Sequence, residues 1–364
     1  MHLGRLWLRD FRCYEQVELD LGTGVTVVTG SNGQGKTSLL EAVGWVATGR
    51  SVRGVPDRAL VRTGAEEAIV RAQIEHPEHA VLIEAAITSV GRNRILANKQ
   101  TVTRRRDLAE HLRVTVFAPD DLTLVKGGPG GRREYLDDLL VSAAPRFSAV
   151  ITEYERVVKQ RNALLRAGIR NADDRRTRDV FDTRLVDVGS ELIRGRLDLI
   201  ARLDPAVGDA YASLAGSAPG FATSYEPEWC TGPVARENVG DALTDALVSL
   251  RKREEDRGVT LVGPHRDDWA LVLEDLDARH HASQGEQRTL ALGMRLAGHR
   301  VVAEAIGVEP VLLLDDVFSE LDAQRATALV EHLPATQTLI TTAGALPESI
   351  RADTWLRIED GRLV

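Results

Sequence analysis

The chemistry-bearing residues of this sequence concentrate first at positions 30–37, GSNGQGKT, which satisfy the pattern G-x-x-x-x-G-K-[S/T] in full. Glycines at Gly30, Gly33 and Gly35, with Ser31, Asn32 and Gln34 between them, let successive backbone N–H groups turn inward onto phosphate oxygens. Lys36 would reach the β- and γ-phosphates of a nucleoside triphosphate, and the Thr37 hydroxyl is placed to ligate Mg²⁺. ATP and Mg²⁺ are therefore the expected ligands. The motif needs a strand before it and a helix after it. VTVVTG (25–30) is a β-branched run ending in Gly, and Leu39, Leu40, Val43 and Val46 fall on helical spacing, with Gly49 as a stop.

A partner for this loop lies near the other end, in LLLDD (312–316). A buried strand ending in Asp315 would supply the carboxylate that holds Mg²⁺, and Asp316 would stand where a carboxylate orients or deprotonates the attacking water. Lys36, Asp315 and Asp316 are thus the catalytic candidates. SQGEQR (283–288) precedes that strand. It has two readings: a helix start with Ser283 as cap and Glu286 three residues on, or a second anion site made of a hydroxyl and a Gly-exposed backbone. GPHRDD (263–268) groups His265, Asp267 and Asp268, but loop structure beside the catalytic core is expected there rather than a metal centre. Cys13 and Cys230 match no metal-ligand spacing and read as two reduced thiols.

The elements that must carry these residues change character along the chain. Strands predominate to about residue 130, with AIVRAQI and AVLIEAAI as clear examples. They are followed by a basic stretch, RNRILANKQTVTRRR (92–106). Arg92, Arg94, Lys99, Arg104, Arg105 and Arg106 have no acid among them, which suits contacts to duplex phosphates or a solvated hairpin paired with nearby acids. Arg53, Arg58 and Arg62 form a looser set. No aromatics interleave, so base stacking is not indicated. From about 132 to 258 the spacing becomes helical. Val150, Tyr154, Val157, Arg161 and Leu164, then Phe181, Leu185, Val188 and Leu192, describe either an antiparallel helical hairpin around a charged turn (170–179) or ordinary helix packing. A poorly patterned stretch (215–240) and a helix (241–256) come next, and strands return from about 259. The expected architecture is an α/β P-loop ATPase domain formed from both chain ends (1–130 and 259–364) with an inserted α-helical arm domain (131–258).

The totals bound the partners. The 364 residues carry a formal charge of −8, with 43% hydrophobic and 27% charged residues, so any DNA contact must come from a local basic patch. No apolar run approaches the roughly 18 residues a membrane span needs. The N-terminal segment is broken by Arg5, Arg9 and Asp10, so a cytoplasmic protein is expected.

The order of P-loop, helical insertion, S-x-G-x-Q helix and LLLDDVFSELD resembles the ABC ATPases of the SMC-like branch. Within that branch the chain is similar to the RecF family. The similarity is carried by the opening LRDFRCYEQVELDLGTGVTVVTGSNGQGKTSLLEAV, by FAPDDLTLVKGGPGGRREYLD (117–137), and by GPHRDD and SQGEQR; the stretch from about 168 to 258 is too generic to add to it. The resemblance implies that Ser283, Gly285 and Gln287 form a signature reaching the γ-phosphate held by a second subunit, with Asp322 in a loop crossing that interface. APDDL occupies the place of a Gln-bearing loop, with Asp120 or Asp121 in its stead. Thr341 or Thr342 stands where many ABC ATPases carry a switch His, and Asp316 where many have Glu. That last difference points to slow hydrolysis, and the resemblance implies a DNA-dependent ATPase associated with the nucleoid. One P-loop and one signature per chain imply an ATP-dependent homodimer. By resemblance, the partners are DNA at single-strand/duplex junctions and RecO- and RecR-like mediators, in loading RecA at gaps for repair and replication restart. A motor or nuclease regulator of the SMC/OLD type would need a longer coiled coil or a nuclease domain. A transporter ATPase is disfavoured by the early P-loop and the long insertion.

Overall fold

Two kinds of strand with different burial patterns set up the first half of the architecture. VTVVT (Val25–Thr29) and VLLLD (Val311–Asp315) are apolar without alternation, as strands covered on both faces must be, and they lie in one parallel sheet. Its order runs Arg362–Leu363, Thr354–Glu359, Val25–Thr29, Thr338–Thr342, Val311–Asp315, Val114–Phe117, with only the terminal hairpin antiparallel. Glu67–Glu75 and Ala80–Thr88 instead alternate buried and open positions, the mark of a sheet with one wet face. They belong to a six-stranded antiparallel sheet with His2–Phe11, Tyr14–Asp20, Arg94–Ala97 and Gln100–Thr101.

The helix Lys36–Thr48 packs against strands of both sheets, which is why it is apolar all round rather than amphipathic. Leu39, Leu40, Val43 and Val46 are buried as their spacing predicts, and Gly49 ends the helix at φ +70° with its N–H on the Trp45 carbonyl.

The computed structural model describes the whole chain except Ala218, Pro219 and the side chain of Arg106. It divides into two compact units. The first comprises 1–121, 213–216 and 298–364; the second comprises 122–212 and 217–297. The boundary therefore differs from the one expected at residue 259. Asp268–Leu273 pairs in register with Phe221–Glu226, a strand hidden in the poorly patterned stretch, and Arg132 holds Asp268 through paired contacts of 2.8 and 2.7 Å. These long-range bonds draw residues 259–297 into the second unit.

In that unit Phe147–Ala167 and Ala172–Ala215 run antiparallel, since Arg161 meets Asp182, Arg184 meets Glu153 and Arg146 meets Glu191. The charged segment 170–179 is mostly helix rather than turn. Asp174 accepts the N–H groups of Arg170 and Asn171, which lets the helix start at Ala172. Arg161, which breaks the apolar seam, is 1% exposed. It donates to Asp182 at 2.7 Å, to Glu254 at 2.6 Å and to the Thr260 hydroxyl at 3.0 Å, so the third helix, Val239–Arg257, packs onto the pair through Glu254.

Candidate nucleotide site

The loop between Val25–Thr29 and Lys36–Thr48 turns only because of its glycines. Gly30, Gly33 and Gly35 sit at φ +152°, +83° and +113°. At Gly35 a Cβ would lie 2.6 Å from the Cys13 sulfur and 3.0 Å from the Tyr14 hydroxyl, which itself donates to the Gly35 carbonyl at 2.9 Å. No side chain caps the helix that follows, so its first N–H groups face the loop, a ready anion site. Lys36 is nearly buried, and its ammonium donates to the carbonyls of Gly30 (2.8 Å) and Ser31 (3.0 Å). Gln34 anchors the loop from outside, accepting the backbone N–H of Asp360 on its side chain and that of Gly361 on its carbonyl.

The register of the parallel sheet brings the second half of the site alongside. Asp315 is paired with Thr341 across adjacent strands. One Asp315 carboxylate oxygen, Oδ1, accepts both the Thr37 hydroxyl (2.8 Å) and the Thr341 hydroxyl (2.7 Å). Burial pushes the Asp315 carboxyl above its ordinary range. The two hydroxyls and the charge of Arg53 oppose that shift, while Asp316 adds to it. A hydroxyl and a carboxylate converging in this way form a hard oxygen donor set that fits Mg²⁺.

Asp316 follows at φ +50°, ψ 27°, a left-handed conformation costly for a residue with a Cβ. Its N–H is held by the carbonyl and hydroxyl of Thr341, both at 3.1 Å, and its side chain lines the cleft together with Asn32, Lys36, Thr37, Arg12 and Arg53. That cleft has a volume of about 500 Å³.

Of the two threonines expected at the switch position, Thr341 supports both acids, while Thr342 closes its own turn through Gly344. Arg12 was not singled out by spacing. It enters the cleft from the end of the first strand at φ +54° and grips Glu41 of the P-loop helix through contacts of 2.8 and 3.0 Å. Glu41 is fully buried and also accepts the Ser51 hydroxyl at 2.5 Å.

The remaining candidates are placed elsewhere. Ser283 and Glu286 make a reciprocal capping box at the start of Gln284–Ile306, in the second unit with Gly285. Gln287 is the third residue expected in the signature. It is 3% exposed, and its amide braces the preceding turn at the carbonyls of Ala278 (3.2 Å) and Arg279 (3.1 Å), so its side chain faces its own unit. Asp322 caps Ala323–His332 through the Arg325 N–H and is half-exposed. Asp121 is buried, accepting the Ala118 N–H at 2.9 Å, whereas Asp120 is exposed. His265, Asp267 and Asp268 form no metal centre among the described residues. His265 bonds Tyr154 at 2.6 Å, Asp267 takes Tyr225 (2.5 Å) and Trp229 (2.6 Å), and Asp268 takes Arg132.

Arg92, Arg94, Lys99, Arg104 and Arg105 are all exposed, on or beside the hairpin of Arg94–Ala97 and Gln100–Thr101; the Arg106 side chain lies outside the described residues. Asn98 and Lys99 turn this hairpin at φ +47° and +68°. The looser set disperses. Arg53 lines the nucleotide cleft, Arg62 pairs with Asp10 at 2.7 Å, and only Arg58 joins the basic surface.

A sequence-family model described as the RecF/RecN/SMC N terminal domain matches residues 2–353. The DNA replication and repair protein RecF of Frankia alni is 48% identical over 94% of this chain and 93% of its own length; that of Streptomyces avermitilis is 45% identical over 94% of each. The chain belongs to the RecF family. A solved structure of the recombination mediator protein RecF with ATP, in the RecFOR pathway, superposes with a TM-score of 0.92 at 27% identity, covering 100% of this chain and 97% of that one. An Smc head bound to the C-winged helix domain of ScpA gives 0.58 at 17% identity, a likeness of fold alone. The RecF fold is that of an ABC-type ATPase, as the order of motifs implied. No described helix is long and apolar enough to cross a membrane.

Proposed function

We propose that this chain is an ATP-gated DNA-binding recombination mediator. In this reading ATP binding closes two chains on DNA, slow hydrolysis reopens them, and the closed pair helps load recombinase at single-strand gaps with RecO- and RecR-like partners. The observation that carries it is the convergence of Thr37 and Thr341 on Asp315 beside a glycine-shaped loop, in a member of a family whose solved relative is a recombination mediator with ATP. Thr37 and Asp315 would hold Mg²⁺, which when bound neutralises phosphate charge. Lys36 binds the β- and γ-phosphates, and the loop N–H groups orient them. Asp316, held into the cleft by its left-handed backbone and by Thr341, orients the attacking water and takes its proton. An Asp reaches one methylene less far than a Glu would, and no His stands at Thr341 or Thr342, which supports slow turnover.

One P-loop and one capped signature helix per chain support a shared site. Ser283 and Gly285 would complete the γ-phosphate pocket of a second copy, with Asp322 at the interface between them. ATP then acts as a dimerising ligand because it binds the closed pair better than separate chains. Sedimentation of the full chain without nucleotide, with ADP and with a non-hydrolysable ATP analogue, each with and without duplex DNA, tests this reading. Dimers are expected only with the analogue, strengthened by DNA and absent in Lys36→Met; dimers indifferent to nucleotide would refute it.

A further inference from the structure

A second cleft, of about 550 Å³, opens in the first unit where the P-loop helix ends; Arg58, Arg92, Arg105, Ser89, Asn93 and Thr103 are in its lining. Among the described residues, neither Arg58 nor Arg92 has an acid partner, and both are exposed. Asp57, the acid in this lining, is saturated by donors. Its Oδ2 accepts Asn93 at 2.7 Å and Arg105 at 3.0 Å, and its Oδ1 accepts the indole N–H of Trp45 at 3.2 Å. Arg58 and Arg92, with hydroxyls beside them and the Asp57 charge already matched by Arg105, suit a phosphate oxygen cluster.

Trp45 is fully buried on Lys36–Thr48, the helix whose N-terminus is the phosphate loop. Thirteen residues make it about 20 Å long, and it is clamped between two sheets. The same helix end touches the cleft again at Gly49, where a Cβ would come within 2.9 Å of Cγ of Arg105. A rigid rod therefore has nucleotide chemistry at one end and basic cleft chemistry at the other.

We propose that this cleft binds a backbone phosphate of duplex DNA, and that Asp57 relays its occupancy to the nucleotide helix through Trp45. A phosphate arriving beside Arg58 and Arg92 competes with Asp57 for Arg105. The freed Asp57 carboxylate shifts its hold on Trp45, and by linkage the nucleotide end biases phosphate binding by the same factor. This deepens the reading of the basic hairpin as a DNA surface and rests on it.

The test measures binding of a labelled duplex to the full chain across a salt series, with and without a non-hydrolysable ATP analogue. Arg58→Ala with Arg92→Ala should weaken binding and flatten the slope of log affinity against log salt by about one, at roughly 0.9 for the single phosphate the cleft holds. The ratio of affinities with and without nucleotide, expected at about tenfold for such couplings, should fall toward one in Asp57→Asn. It should fall likewise in Trp45→Phe, which loses the indole N–H while keeping an aromatic ring in the core. Using the ratio separates coupling from any general loss of affinity, and either variant suffices if the other fails to fold. If Arg94, Lys99 and Arg104 variants weaken binding while the cleft pair do not, the DNA surface stands and the cleft proposal is overturned. If none of them does, the DNA-surface reading fails with it. An unchanged ratio in the folded Asp57 and Trp45 variants overturns the relay. Displacement of the duplex by inorganic phosphate at constant ionic strength, lost in the cleft pair, would reassign the cleft to free phosphate and overturn the backbone assignment.

Discussion

Replacing Asp315 with Asn should separate the stability of the nucleotide site from its function. The carboxylate is 9% exposed, and burial already disfavours its charge despite two hydroxyl donors. Asn keeps Oδ1 as an acceptor for Thr37 and Thr341 and replaces the other carboxylate oxygen with a neutral amide NH₂. The nucleotide-free protein should therefore be as stable as the wild type or more so, the usual trade between stability and a charged site. Metal-dependent nucleotide binding should move the opposite way. A pair of unit charges about 4 Å apart at an effective dielectric of 20 interacts by about 4 kcal/mol. Dehydrating the incoming Mg²⁺ offsets part of that, and a remainder of about 2.8 kcal/mol is roughly a hundredfold in affinity. With Mg²⁺ and ATP at about one hundred times the wild-type Kd, ligand binding stabilises the wild type by about 2.7 kcal/mol and the variant by about 0.4 kcal/mol. Urea unfolding of both proteins, with nucleotide plus Mg²⁺, nucleotide plus chelator, and neither, measures each quantity. A variant more than about 1 kcal/mol less stable without ligand, or one retaining the full Mg²⁺-linked stabilisation, would refute the assignment of Asp315.

Arg161→Met should cost about 3–5 kcal/mol in denaturant unfolding, because it strands Glu254 in the core with the Leu261 N–H as its remaining hydrogen-bond partner. A loss below about 1 kcal/mol would contradict the buried network. The GPHRDD loop should hide two opposing pH dependences. Burial raises Asp267 to about 7, so the folded state holds a proton that the unfolded state gives up; this stability is present in acid and lost as pH rises through about 7. Burial lowers His265 to about 4, so its contribution is lost as pH falls from the ordinary imidazole range toward 4. Asp267→Asn should expose stability rising with pH between these limits, and His265→Gln stability falling with pH, each by at most about 1.4 kcal/mol per pH unit. Parallel slopes in the two variants would refute the pairing. Ser283→Arg should leave nucleotide affinity of single chains nearly intact while preventing nucleotide-dependent dimers; equal loss of both would argue against a role in a second copy's site.

The nucleotide loop was legible in the sequence because its determinants are local. Glycines at 30, 33 and 35 permit backbone angles that a Cβ resists, and strand and helix periodicities flank them within a few residues. The capping box at Ser283 and Glu286 was readable for the same reason: its partners lie three residues apart. Tertiary structure alone decided which threonine supports the acids, since that depends on Asp315 falling opposite Thr341 in a parallel pair. It also decided that Gln287 turns inward, that Arg12 is bound to Glu41, and that Asp57 joins Trp45 to a basic cleft. Those contacts join residues on separate elements or fix which way a side chain turns, and hydrophobic period records neither. Phe221–Glu226 escaped notice because half its positions are open to solvent and its pairing with Asp268–Leu273 spans some forty residues; that pairing draws 259–297 into the second unit. Short-range conformational preference thus identified the ligand loop and the family, while sheet register and burial determined what surrounds it.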